Sequence, residues 1–342
     1  MLANKIALCY NSSMERLYDE VRKIIDGIDF ESIWPSFAPC QFALYNKAAV
    51  YLDGKEMPWD TRFVGNTAIM LDDIPTAIWH IENSNDVDMQ RLAACLVHEM
   101  FHAFQHSQGE SRYPDEFAIL TYPQDLDNYR LKMAENHYLA KACMENSMVD
   151  LQQFVVLREA RRRIIGEAIE QELCVETIEG LAEYAGLMAL NQISHAKFMD
   201  EIEGHLRALR NPENICNVRL GAYSTGCVIC FTLKSLGIDS SHKMSDDRMI
   251  YDFIPRKQSE IDTYFDELCE QRQNRLDDFL RSPRKRIEHT GEITGFDPMS
   301  MDRLGDRILC YNFVKLGDLC IEGPVMLEMA EGSLRGVVAY IK

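Results

Sequence analysis

His98, Glu99 and His102 stand in the pattern H-E-x-x-H. On a helix, residues i and i+4 lie one turn apart on one face, so both imidazoles can reach a single metal ion. The glutamate at i+1 sits about 100° round the helix, beside the metal rather than on it. There it can take a proton from a water that the metal polarises. Two histidines do not complete a zinc site, and His106 does not supply the third ligand. It falls two turns beyond His98, about 12 Å along a straight helix, whereas zinc–nitrogen bonds are about 2 Å. The H-E-x-x-H-x-x-G-x-x-H solution, in which a glycine breaks the helix, is excluded, because Gln105 and Gln108 occupy the matching positions.

A carboxylate is the better third ligand. In ETIEGLAEYAG, residues 176–186, Glu176, Glu179 and Glu183 fall at i, i+3 and i+7, on one helix face. Gly180, Ala182, Ala185 and Gly186 surround them, and such small residues let a second helix pack close and turn the acidic stripe inward. A buried carboxylate without a cation is costly, and a metal ion resolves that cost.

H-E-x-x-H followed by a helix carrying E-G-L-A-E-Y resembles the gluzincin branch of the zinc metallopeptidases. In that branch a glutamate one helix later is the third ligand, and an acidic residue four positions on orients a ligand histidine. The resemblance implies that His98, His102 and Glu179 hold Zn²⁺, that Glu183 orients a histidine, and that Glu99 is the general base. Glu176 remains the alternative third ligand. GAYSTGCVICFTL, residues 221–233, resembles the segment bearing the transition-state tyrosine of aminopeptidase-type gluzincins. By that likeness Tyr223 donates a hydrogen bond to the carbonyl oxygen as negative charge develops there, its phenol being neutral at pH 7. The G-x-M-E-N strand that grips a free amine in those aminopeptidases has no counterpart here, so the likeness does not extend to exopeptidase action, and endo- versus exopeptidase stays open. It covers roughly residues 92–235.

These residues need a frame. Apolar periodicity predicts helices near 87–108, 125–146, 148–172, 174–193, 197–209, 217–236 and 258–281, with a further amphipathic helix over 13–28. Asp86 or Asp88 can cap the H-E-x-x-H helix and Gly109 marks its end. Alternation and turn residues over about 40–82 predict a small sheet, and residues 287–342 read as short strands and turns. The order predicts an α+β fold. A zincin-like domain over 1–283 holds the sheet (about 40–82) and a helical body (about 86–283, closed at Pro283), and a β-rich segment or cap follows over 284–342. Sheets of this kind offer an edge strand to an extended peptide.

Two other patterns have plainer explanations. Cys227-x-x-Cys230 stands alone in an apolar helix and reads as core packing rather than a metal motif. Arg158, Arg161, Arg162 and Arg163 lie among Glu159, Glu167 and Glu170 at helical spacing, which predicts a solvated, ion-paired face.

Composition narrows the partners. The net charge of −18 disfavours phosphate backbones and anionic lipid, so neither nucleic acid nor a membrane surface is expected. Eleven cysteines without framework spacing fit a reducing cytoplasm, and the N-terminal stretch lacks a secretory h-region. The expectation is a cytoplasmic zinc metallopeptidase acting on a peptide or small protein. The alternative is a non-catalytic binding or regulatory protein on the same scaffold with a structural metal. Oligomeric state is not legible.

Overall fold

The computed structural model describes residues 2–82, 87–256, 260–281, 285–330 and 333–341. It divides into two units, Met1–Arg256 and Lys257–Lys342.

The first unit opens with α1 (Leu2–Ile25), whose Leu17, Tyr18, Val21 and Ile25 are buried at helical spacing, and the short α2 (Phe30–Ile33). Five strands follow: β1 (Gln41–Tyr45), β2 (Ala49–Leu52), β3 (Lys55–Pro58), β4 (Thr67–Leu71) and β5 (Ile74–His80). They form one sheet in the order β3-β2-β1-β5-β4. β1 and β5 run parallel and every other pair is antiparallel, which leaves β4 as an edge. Period-two alternation divides the sheet's faces. Phe42, Leu44 and Ala77 join the main core with α1 and α3 (Met89–Ser107), while Ala43, Val50 and Ile78 pack with Phe63 on the other side.

Local chemistry fixes α3. The Asp88 side chain accepts hydrogen bonds from the N–H groups of Gln90 and Arg91. The chain leaves the helix at Gln108, and Gly109 takes φ +80°, a conformation that favours glycine. Asp86 lies outside the described residues. After α3 come α4 (Glu116–Leu120), α5 (Leu126–Glu145), α6 (Met148–Ile165), α7 (Ala168–Ile193), α8 (His195–Ala208), α9 (Pro212–Cys216) and α10 (Val218–Ser235). The predicted break between α6 and α7 is corrected. It falls at Gly166, where φ is +58° and the N–H closes on Arg162 O at 2.9 Å.

α7 is buried along most of its length and on every face, so it is the central helix of the unit. Glycines set its distance from two neighbours. A Cβ on Gly180 would lie 2.5 Å from Gly226 Cα in α10, and one on Gly186 would lie 2.8 Å from Ala94 O in α3. The small residues of ETIEGLAEYAG therefore admit two helices, one on each side.

A third side of α7 carries charge. Arg158 and Arg161 of α6, Lys132 and Glu135 of α5, and Glu172 and Glu176 of α7 form a buried cluster of three cations and three carboxylates. Arg158 donates to Glu135 and Glu176 at 2.8 Å each, and Arg161 donates to Glu135 and Glu172 at 2.6 Å each. The prediction of a solvated arginine face is thus corrected for Arg158 and Arg161, which are 0% and 1% exposed. It holds for Arg162, which pairs with Glu170 and Glu159 at the surface. Equal numbers of opposite charges make burial tolerable. Cys227 and Cys230 are buried in apolar clusters, as core packing requires.

The second unit joins α11 (Glu260–Arg281) to seven strands: β6 (Lys285–Phe296), β7 (Met301–Leu304), β8 (Arg307–Cys310), β9 (Phe313–Leu316), β10 (Leu319–Glu322), β11 (Val325–Ala330) and β12 (Ser333–Ile341). Their order is β10-β9-β6-β12-β11-β8-β7, antiparallel throughout. Leu276 and Phe279 of α11 pack on Leu309 and Met326. The predicted boundary near 283 is therefore corrected to Arg256, because the last long helix belongs with the strands. Pro283 lies outside the described residues. Helices and strands are segregated along the chain, an α+β arrangement with a small N-terminal sheet and a strand-rich C-terminal part. Among the described residues no helix is long and apolar enough to cross a membrane.

Candidate metal centre

α3 and α7 cross where Gly186 meets Ala94, and this contact brings His98, His102 and Glu179 together. Their ligand-capable atoms all lie within 4.8 Å of one another. His98 Nε2 is 3.0 Å from His102 Nε2. Glu179 Oε2 is 3.1 Å from His102 Nε2 and 3.7 Å from His98 Nε2.

The outer atoms determine what the inner ones can be. His102 Nδ1 lies 2.8 Å from Gln105 Oε1, and the Gln105 amide donates to Ile178 O at 3.0 Å. That amide contact makes Oε1 the end facing His102, so His102 Nδ1 carries a hydrogen. His98 Nδ1 lies 2.8 Å from Glu183 Oε2, a carboxylate that can only accept. In the neutral rings both Nε2 atoms are then bare lone pairs, aimed at each other and at a carboxylate oxygen. Three electron-pair donors this close repel unless a cation stands between them. The donor set therefore fits a metal ion, and in its place a proton.

Electrostatics agree. Burial pulls the His98 imidazolium down, but hydrogen bonds to Glu179 and Glu183 outweigh it and raise its pKa to about 10. Burial pushes Glu179 up, and the facing His102 and His98 rings more than reverse this, holding it well below the usual carboxylate range. Glu183 is depressed in the same way by His205 and His98. His205 Nε2 sits 3.2 Å from Glu183 Oε1, and His205 Nδ1 sits 3.1 Å from Ser224 Oγ. Both oxygens of Glu183 are thus engaged, which fixes the ring plane of His98.

Glu99 is 6% exposed beside the group, and burial raises its pKa. It faces a cavity of about 390 Å³ with Ala94, Cys95, His98, Glu183 and Tyr223 in the wall. Burial pushes the Cys95 thiol up to about 12, so it stays protonated. The Tyr223 ring stacks at 6.2 Å from His98, and burial together with the Glu179 charge raises its pKa, so the phenol stays neutral. A second cavity of about 630 Å³ lies on the other side of the group, lined by Ile69 and Met70 of β4 together with His102, His106, Glu179 and Arg219. The edge strand therefore borders the candidate centre.

The structure brings together His98, Glu99, His102, Glu179, Glu183 and Tyr223. His106 is exposed on the second cavity's wall, outside the ligand group. Glu176 is excluded as a ligand, because Arg158 and Lys132 hold it in the buried ion cluster. Three contributors were missed from sequence. Gln105 sits at i+3 from His102 and Arg219 at i−4 from Tyr223, so helical spacing could have found both. His205 carried no such signal.

Compared with known proteins, the chain matches no family model, no curated protein and no solved structure.

Proposed function

We propose that the chain is a zinc-dependent metallopeptidase of gluzincin type. One observation carries this reading: two imidazole nitrogens and one carboxylate oxygen converge, with the buried Glu99 carboxyl beside them. Two nitrogens and one oxygen form a donor set suited to zinc, and three protein ligands are the number found in catalytic rather than structural sites. His98, His102 and Glu179 hold the ion. Zinc there supplies a Lewis acid that acidifies water and polarises a carbonyl.

The chain's own groups do the rest. Glu99, whose pKa burial raises, accepts the proton of the attacking water and passes it to the leaving amine. Tyr223 keeps its phenolic proton and donates to the carbonyl oxygen as charge develops there. Glu183 and Gln105 hold the two imidazoles by their outer nitrogens. The unpaired side of β4 offers main-chain hydrogen bonds to an extended peptide lying in the cleft. Every cysteine whose side chain is described is free, which supports a reducing, cytoplasmic setting.

Digestion of a mixed peptide library, read by mass spectrometry, tests the reading. Cleavage that a chelator abolishes and zinc restores is the expected result. Zinc uptake with no cleavage of any peptide would instead favour a binding protein with a structural metal.

A further inference from the structure

Arg219 is the feature of the centre that this mechanism does not use. It stands at the start of α10, one turn before Tyr223, and its Nη2 donates to Glu179 Oε1 at 2.9 Å. The other oxygen, Oε2, is the one that faces His98 and His102. Oε2 of the candidate ligand thus faces the imidazoles and Oε1 faces a guanidinium, and the Tyr223 phenol also hydrogen-bonds the Glu179 carboxylate.

This is not a casual surface pair. Glu179 is 6% exposed, so its partner contacts a carboxylate removed from water. The same guanidinium also donates through Nη1 to the exposed Glu116 of α4. Its reach is fixed by the close approach of α10 to α7, where a Cβ on Gly226 would fall 2.0 Å from Glu176 O. The planar fork of arginine suits this task, since it spans two carboxylates at once, which a lysine ammonium does less well.

We infer that Arg219 is a positioning residue that occupies Glu179 Oε1, so that Glu179 meets the metal through Oε2 alone and a coordination position stays open for water and substrate. The inference rests on the metallopeptidase reading above. A carboxylate free at both oxygens can chelate with both, which fills the position that catalysis needs. The guanidinium also withdraws charge from Glu179, so the ligand donates less and the metal stays the stronger Lewis acid.

Cobalt(II) in place of zinc tests this in the full-length protein, because its visible absorption weakens as coordination number rises. Arg219→Gln is expected to bind cobalt, to show weaker visible bands than the parent, and to lose turnover by about 10–100-fold with little change in KM. Arg219→Lys should recover part of both. Glu116→Gln, which loosens the fork without touching Glu179, should fall between and carries the test should Arg219→Gln not fold. Visible bands unchanged in Arg219→Gln at saturating cobalt would overturn the inference and leave the metallopeptidase reading standing. Failure of the parent protein to take up cobalt or zinc would overturn both.

Discussion

His98 Nδ1 and Glu183 Oε2 lie 2.8 Å apart, across the crossing of α3 and α7. This contact orients the ring and, together with the hydrogen bond to Glu179, raises its proton affinity against the effect of burial. Without metal, the His98 pKa stands at about 10, well above the ordinary value of about 6.5.

A proton count follows from that value. A raised folded-state pKa means that the protonated ring's contribution to stability is complete below the unfolded pKa and is lost as pH rises through about 10. At pH 7 the metal-free protein therefore carries an imidazolium at His98, and ligation must expel its proton. Titration calorimetry in buffers of different ionisation enthalpy should show about one proton released per metal ion at pH 7. Affinity should climb with pH up to about 10. Uptake without proton release would contradict the assignment of His98 as a ligand.

The closeness of α7 and α10 makes a second expectation. Gly226→Ala sets a Cβ 2.0 Å from Glu176 O, against backbone that cannot yield cheaply. Forced separation of the helices should cost about 1–3 kcal/mol or more, read as a lower urea midpoint. It should also withdraw Tyr223 and Arg219 from Glu179, so activity should fall further than stability alone explains. An unchanged midpoint would mean that the two helices are not so tightly apposed.

The buried charges give a third. Arg158→Met leaves Glu135 and Glu176 without their main partner at 0% exposure. An uncompensated buried charge costs about 3–5 kcal/mol, so the variant should unfold at markedly lower denaturant. A near-neutral effect would show that water reaches the cluster.

Much of the centre was legible because helical spacing carries it. His98 and His102 share a face at i, i+4 on α3, and Glu179 and Glu183 do so on α7. Glu176 lies on nearly the same stripe and could not be separated from Glu179 by spacing. What separates them is Arg158, delivered from another helix, and no local pattern encodes that encounter. The arginine face misled for the same reason, since its balancing acids on α5 and α7 are distant in sequence. Gly166 was overlooked as a helix end because Glu167 and Glu170 continued the acidic helical pattern beyond it. The small sheet was legible from its turns, but not the parallel pairing of β1 with β5, which depends on a long-range crossover.

Tyr223 offers a graded test. Tyr223→Phe removes the hydroxyl and leaves the ring that stacks near His98. Metal content should be unchanged, and kcat should fall by about 10²–10³-fold, the effect of losing one oxyanion donor. Full turnover in the variant would remove Tyr223 from the mechanism.

The most direct measurement is made on Glu99→Gln, with metal content and peptide cleavage read on one preparation. Glu99 lies beside the ligand group without belonging to it, so the expected result is one zinc per chain, as in the parent, with peptide cleavage abolished. Cleavage at the parent's rate would contradict the account.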